Sequence, residues 1–184
     1  MMKKINHIVP RATAVAFIAT LIAAGCASDP ATTGPAPEGD AETPPQGTDA
    51  VIEAWLTAAS FKGAGWTCES EVHPARSPSP HGSTKICNNS KVSMTAAPAA
   101  YPAGAANVKE LYMNDVVVGH AFTLKLTDGA SDGSKWYFYE KLGALISANG
   151  KGKMSNTDGC SGCHAAAGVS AGFSGRDFVY TQVP

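Results

Sequence analysis

The chain has 184 residues, enough for one ordinary domain and little more. Hydrophobic residues make up 44% and charged residues 16%, so most of the chain can enclose a core. Residues 1–25 carry Lys3, Lys4 and Arg11 and no acid, so beyond them 14 bases become 11 against 15 acids. Such a mildly acidic chain has no electrostatic footprint for nucleic acid, which is excluded as a partner.

In chain order, residues 1–25 read as a secretory leader: a basic start, then Ala14–Ala24, a largely apolar run too short to span a bilayer. The run ends in Ala23-Ala24-Gly25-Cys26, small residues before a cysteine, which resembles a bacterial lipobox. Cys26 is expected to carry lipid and become the mature N-terminus, placing the protein in the bacterial cell envelope, lipid-anchored and facing the periplasm. Ala27 in place of Asp at the next position favours the outer membrane. Residues 26–48 hold Pro30, Pro35, Pro37, Pro44 and Pro45 and no base or aromatic, the composition of a disordered spacer that lifts a domain off the membrane.

Residues 49–184 are expected to form one domain. Asp49–Lys62 reads as a helix with Val51, Ile52, Trp55, Leu56 and Ala59 on one face, ended by Gly63 and Gly65. The Pro- and Ser-rich stretch Glu71–Gly82 is loop. Strand patterns follow at Thr84–Cys87, Ala106–Met113, Val116–Leu126 and Lys135–Lys141, with turn signals at Asn88-Asn89, Asn114-Asp115 and Asp128-Gly129. Strands joined this closely are antiparallel neighbours. In Lys135–Lys141, Trp136 and Phe138 take one face and Tyr137 and Tyr139 the other, so this strand is expected to be covered on both sides. Leu142–Asn149 suggests a short helix. The fold class is α+β: a predominantly antiparallel sheet with an N-terminal helix and a C-terminal helical segment.

Cys160-Ser161-Gly162-Cys163-His164 is the attachment sequence of c-type haem. On a helical turn, residues i and i+3 share a face, so both sulfurs can form thioethers to the two vinyl groups of one porphyrin, and the adjoining His164 can ligate the iron. The competing chemistries are a redox-active CxxC, which sits early in a βαβ unit, and half of a zinc site, which needs two more ligands close by; neither context is visible. One covalently bound haem c is the expected cofactor. The sixth iron position is left open: Met94, Met113, Met154, His73, His81, His120 and Lys109 are available, with the methionines and His120 expected in packing and His73 and His81 in solvent. Lys109 stands out, because it shares a strand face with Leu111. It is either a solvated side chain at a strand edge or a buried amine that loses its proton and becomes a nucleophile.

Three stretches, in this order, resemble the cytochrome P-460 family, which includes the related cytochromes c′-beta: Tyr101 to Leu111 (YPAGAANVKEL), the aromatic strand Lys135–Tyr139, and Cys160–His164 followed by Asp177–Thr181. The resemblance covers about residues 49–184. It implies a mainly antiparallel β fold around one c-haem, with His164 as proximal ligand and an open distal side. In the hydroxylamine-oxidising members, the lysine of the VKEL stretch is bonded to the porphyrin edge, and here that position is Lys109. Such members oxidise hydroxylamine, often with NO, towards nitrous oxide or nitrite and pass electrons to another cytochrome; members without the bond look like NO- or CO-binding proteins. A simple electron-transfer cytochrome with a sixth protein ligand is the third reading. Family members are often homodimers. The oxidising members also place an acid in the distal pocket, at a position that falls here on Thr123 or its neighbour Phe122, neither of them acidic. Cys68 and Cys87, the two cysteines left over in an exported protein, are expected to pair.

Overall fold

The computed structural model describes residues 42–76, 79–129, 132–154, 156–168 and 175–184. The leader, Cys26 and most of the spacer lie outside the described residues. The spacer's end does not behave as expected, because Pro44 and Pro45 are buried and Glu42 is tied down. Ser90 Oγ donates to the Glu42 carboxylate and Asn89 Nδ2 to its carbonyl, at 2.8 and 2.9 Å. The folded unit therefore includes Glu42 and does not begin at residue 49.

The architecture is a six-stranded antiparallel sheet with helices packed on it. The strands are β1 (Trp66–Cys68), β2 (Ser83–Asn89), β3 (Ala106–Met113), β4 (Val116–Lys125), β5 (Trp136–Leu142) and β6 (Leu145–Lys151), and their order in the sheet is their order in the chain. The helices are α1 (Asp49–Thr57), the single turn α2 (Ser90–Ser93) and α3 (Asp158–His164).

Alternation along the strands gives each face its own core. One face carries Cys87, Val108, Phe122, Leu124, Tyr137 and Tyr139, and packs against Ile52, Leu56 and Phe61. Phe122 is stacked between two tyrosines, its ring 5.9 Å from that of Tyr137 and 5.5 Å from that of Tyr139. The other face carries Trp136, Phe138 and Ala148, and packs against Tyr101, Phe178, Val179 and Cys160 of α3. Strand β5 is thus covered on both sides, as its sequence requires. Cys68 and Cys87 face each other across the β1–β2 ladder and are joined by a disulfide.

Three expectations are corrected. The first helix ends at Thr57 instead of Lys62, because Ala59 turns left-handed (φ 53°) and a 3₁₀ turn, Ser60–Lys62, follows. At 100° per residue a continuous helix would carry Phe61 to the side opposite Ile52 and Leu56; the break brings Phe61 into their core. Leu142–Asn149 is not a helix: Gly143 (φ 58°) makes a tight turn and Leu145–Lys151 pairs with β5, its backbone bonds satisfied by the sheet. Asn88-Asn89 is not a turn but the end of β2, where Asn89 Oδ1 accepts from Val92 N and caps α2.

Candidate functional site

The site lies between α3 and the second sheet face. Thr157, fully buried at the start of α3, donates its hydroxyl to the Lys151 carbonyl at the end of β6. Gly133 lets the helix come close, since a Cβ there would stand 3.0 Å from that of Ser161. The helix presents Cys160, half-buried, and Cys163, exposed, one turn apart, with His164 beside them and buried.

The carbonyl of Phe178 lies 2.7 Å from His164 Nδ1. A carbonyl only accepts, so Nδ1 carries the proton, and Nε2 is left with its electron pair and without a hydrogen-bond partner among the described residues. The rings of Phe138 and Tyr180 stand edge-on to the imidazole at 5.2 and 5.3 Å and hold its plane. Tyr180 Oη donates to the Cys163 carbonyl at 2.6 Å, closing the end of the helix. Burial, reinforced by the Lys109 charge, pushes His164 down to about 3, so the ring is neutral at physiological pH and able to donate its electron pair.

Facing His164 is a cavity of about 260 Å³. Its sheet side carries Asn107, Lys109, Ala121, Thr123, Phe138 and Glu140, which share one parity on β3, β4 and β5, and is also bordered by Phe122 and Tyr139. A smaller pocket adjoins it through Lys109, Cys163 and His164, with His73, His81 and Arg76 at its mouth. Lys109 sits on a central strand and is 7% exposed, which overturns the reading of a solvated side chain at an edge. Its amine has no hydrogen-bond or ion-pair partner among the described residues. Burial lowers it to about 8, against the attraction of Glu140 and Cys163. The amide oxygen of Asn107 and the hydroxyl of Thr123, opposed on the β3–β4 ladder, are also buried without partners. These three groups, unpartnered among the described residues, lie on one wall and are free to hydrogen-bond a molecule placed in the cavity.

The cavity does contain an acid, and it is neither Thr123 nor Phe122. Both positions border the cavity, but Phe122 packs in the core of the opposite face. The acid is Glu140, which receives His81 Nδ1 at 2.5 Å and the Ser147 hydroxyl at 2.7 Å. The His81 hydrogen bond holds its carboxyl below the ordinary value, ahead of the opposing effect of burial. Glu140 continues the Trp136–Phe138 parity of β5, and that parity was the signal available in the sequence.

The sixth-ligand candidates mostly lie elsewhere. Met94 is 82% exposed and Met113 59% exposed, at the surface and not in packing. Met154, half exposed, accepts at its sulfur from Lys151 N. His120 is on the far face, its ring 5.8 Å from Phe61. His73 and His81 are largely sheltered, contrary to expectation, because each is held by an acid: Glu69 for His73 and Glu140 for His81. His73 uses both ring nitrogens, the second against the Pro74 carbonyl.

The donor set suits a covalently attached porphyrin: two thiols one turn apart, a neutral imidazole with a free Nε2, and a cavity with the apolar surfaces of Phe138, Ala121 and Ala148 in its walls. The other readings of the cysteine pair find less. Burial raises the Cys160 thiol, the reverse of a redox-active cysteine. Among the described residues no three His, Cys, Asp or Glu side chains are grouped to hold a metal ion by themselves. Comparison of the chain with protein families, with curated proteins and with solved structures returns no match.

Proposed function

We infer that the chain is an exported, lipid-anchored c-type cytochrome of the P-460 kind, which carries one haem and binds and oxidises hydroxylamine or NO. The observation that carries this reading is the meeting of Cys160, Cys163 and His164 on α3 with the buried Lys109 amine across one cavity. Cys160 and Cys163 would hold the porphyrin and His164 would ligate the iron. Haem supplies there an iron centre that takes electrons from a small nitrogenous ligand and delivers them to a partner cytochrome.

The protein supplies the rest. Lys109 is the candidate for a covalent bond to the porphyrin edge. The Glu140 carboxylate is the group able to accept a proton from the ligand, with His81 Nδ1 donating to it in the same cavity. Met94, Met113 and His120 lie away from the cavity, which supports the reading that none of these three would ligate the iron. The carboxylate favours oxidation over simple NO or CO binding, which has no need of a proton acceptor.

The test is maturation of the full chain in a host with c-type haem assembly. A coloured protein, heavier than the lipidated apoprotein by one haem and colourless as the Cys160→Ala, Cys163→Ala variant, is expected. A colourless wild-type product overturns the reading. Peptide mapping decides the branch: a Lys109 peptide running with Cys160–His164 as one covalent species belongs to the oxidising proteins, and separate peptides belong to the gas binders.

A further inference from the structure

On the reading above, the electron-pair donor at the iron is His164, and the structure shows what aims it. Its Nδ1 is bonded to a backbone carbonyl, that of Phe178, which no side-chain motif in the sequence announces. That carbonyl belongs to a segment in an unfavourable conformation: Asp177 and Phe178 are both left-handed, at φ 49° and 66°. Aspartate tolerates this region, but a bulky aromatic residue rarely enters it unless neighbouring contacts force it there.

Those contacts converge on Asp177. Its Oδ2 accepts from Lys125 Nζ at 2.7 Å and from the Tyr101 backbone N–H at 2.8 Å. Both partners of the ion pair are buried, the Lys125 side chain completely. Lys125 ends β4, on the sheet face that floors the cavity, and its ammonium lies over the Trp136 ring at 5.2 Å. Trp136 in turn stacks on Phe178 at 6.1 Å. A buried charge pair, a backbone hydrogen bond and an aromatic stack thus fix two residues whose one contact with the cavity's chemistry is the Phe178 carbonyl on His164. An apolar pair would pack the same segment; a buried ion pair adds a directional constraint at the residue that precedes the carbonyl.

We propose that Asp177 and Lys125 are positioning residues for the proximal histidine: their ion pair holds the Phe178 carbonyl against His164 Nδ1, and so sets the orientation and donor strength of the imidazole. A hydrogen bond from Nδ1–H to a carbonyl leaves more electron density on Nε2, which favours the oxidised iron and a stronger iron–histidine bond.

The proposal rests on the haem reading, and the experiment separates the two. The protein is the haem-loaded full chain, as wild type, as Asp177→Asn, and as the double variant Asp177→Asn, Lys125→Met. The double variant removes both charges together and leaves none buried alone, which keeps the test available if Asp177→Asn does not fold. The readouts are the midpoint potential and the iron–histidine stretching frequency of the ferrous protein. The expected result is about a tenfold shift towards the reduced state, ~59 mV for one electron, with a lower stretching frequency and the same shift in both variants. Variants that lose stability but keep both wild-type signatures show a merely structural ion pair and overturn the proposal alone. A wild-type protein without haem overturns the reading and the proposal together.

Discussion

Replacing Lys109 with methionine should stabilise the haem-free chain at neutral pH, by an amount that disappears as the solution becomes alkaline. The folded chain releases the Lys109 proton near pH 8, whereas the unfolded chain keeps it to about 10.5. Between these values the unfolded state binds more protons, so wild-type stability rises with pH across that window and is lowest, with respect to this residue, below it. Linkage gives a cost of about 3 kcal/mol at pH 7 and about 1 kcal/mol at pH 10, taking 1.36 kcal/mol per pKa unit. The advantage of Lys109→Met in urea unfolding should therefore shrink by about 2–3 kcal/mol between pH 7 and pH 10. Other groups titrate in both proteins and cancel in the difference. A gap that stays constant across the window would mean that Lys109 remains charged when folded, and would refute the buried neutral amine. In haem-loaded protein with Lys109 bonded to the porphyrin, the same pH dependence should be absent.

Three further outcomes test separate parts of the structure. The Cys68→Ala, Cys87→Ala protein, opening a bridge with a sequence separation of 19, should lose about 3 kcal/mol in denaturant titrations; an unchanged midpoint would show that the bridge does not constrain the unfolded chain. Phe122→Ala, at the centre of the first core and 2% exposed, should cost about 3–5 kcal/mol in thermal unfolding, and a loss below about 1 kcal/mol would contradict the packing between Tyr137 and Tyr139. Glu140→Gln should lower hydroxylamine turnover of the matured protein by about a hundredfold or more with haem content unchanged. Undiminished turnover removes Glu140 from the proton path.

Much of the fold could be read from alternation. Strand β3 occupies the residues its pattern marks, and Asn114-Asp115 makes the turn its composition signals, with both residues left-handed at φ 50° and 62°. Readings failed where tertiary packing overrode local preference. Leu142–Asn149 looks helical in isolation, but Leu145–Lys151 lies beside β5, whose free edge claims it. Trp66–Cys68 is too short to show a period and is recognised only by its pairing with β2, where Cys68 is also bridged to Cys87. The site divides the same way. The cysteines and histidine of α3 announce themselves by spacing, and Lys109 by parity. Glu140 escapes because its partner His81 comes from a proline-rich loop 59 positions earlier, a contact that no local pattern encodes. The Phe178 carbonyl has no side-chain identity to detect at all.

A sheet in which every strand meets only its predecessor and its successor can assemble in the order in which the chain is synthesised, hairpin closing on hairpin without waiting for distant sequence. The segment with the two thiols follows all six strands, so the apolar rings of β5 and the amine of β3 precede it in the chain, while Phe178 and Tyr180, which close over its histidine, come after it and complete the site last.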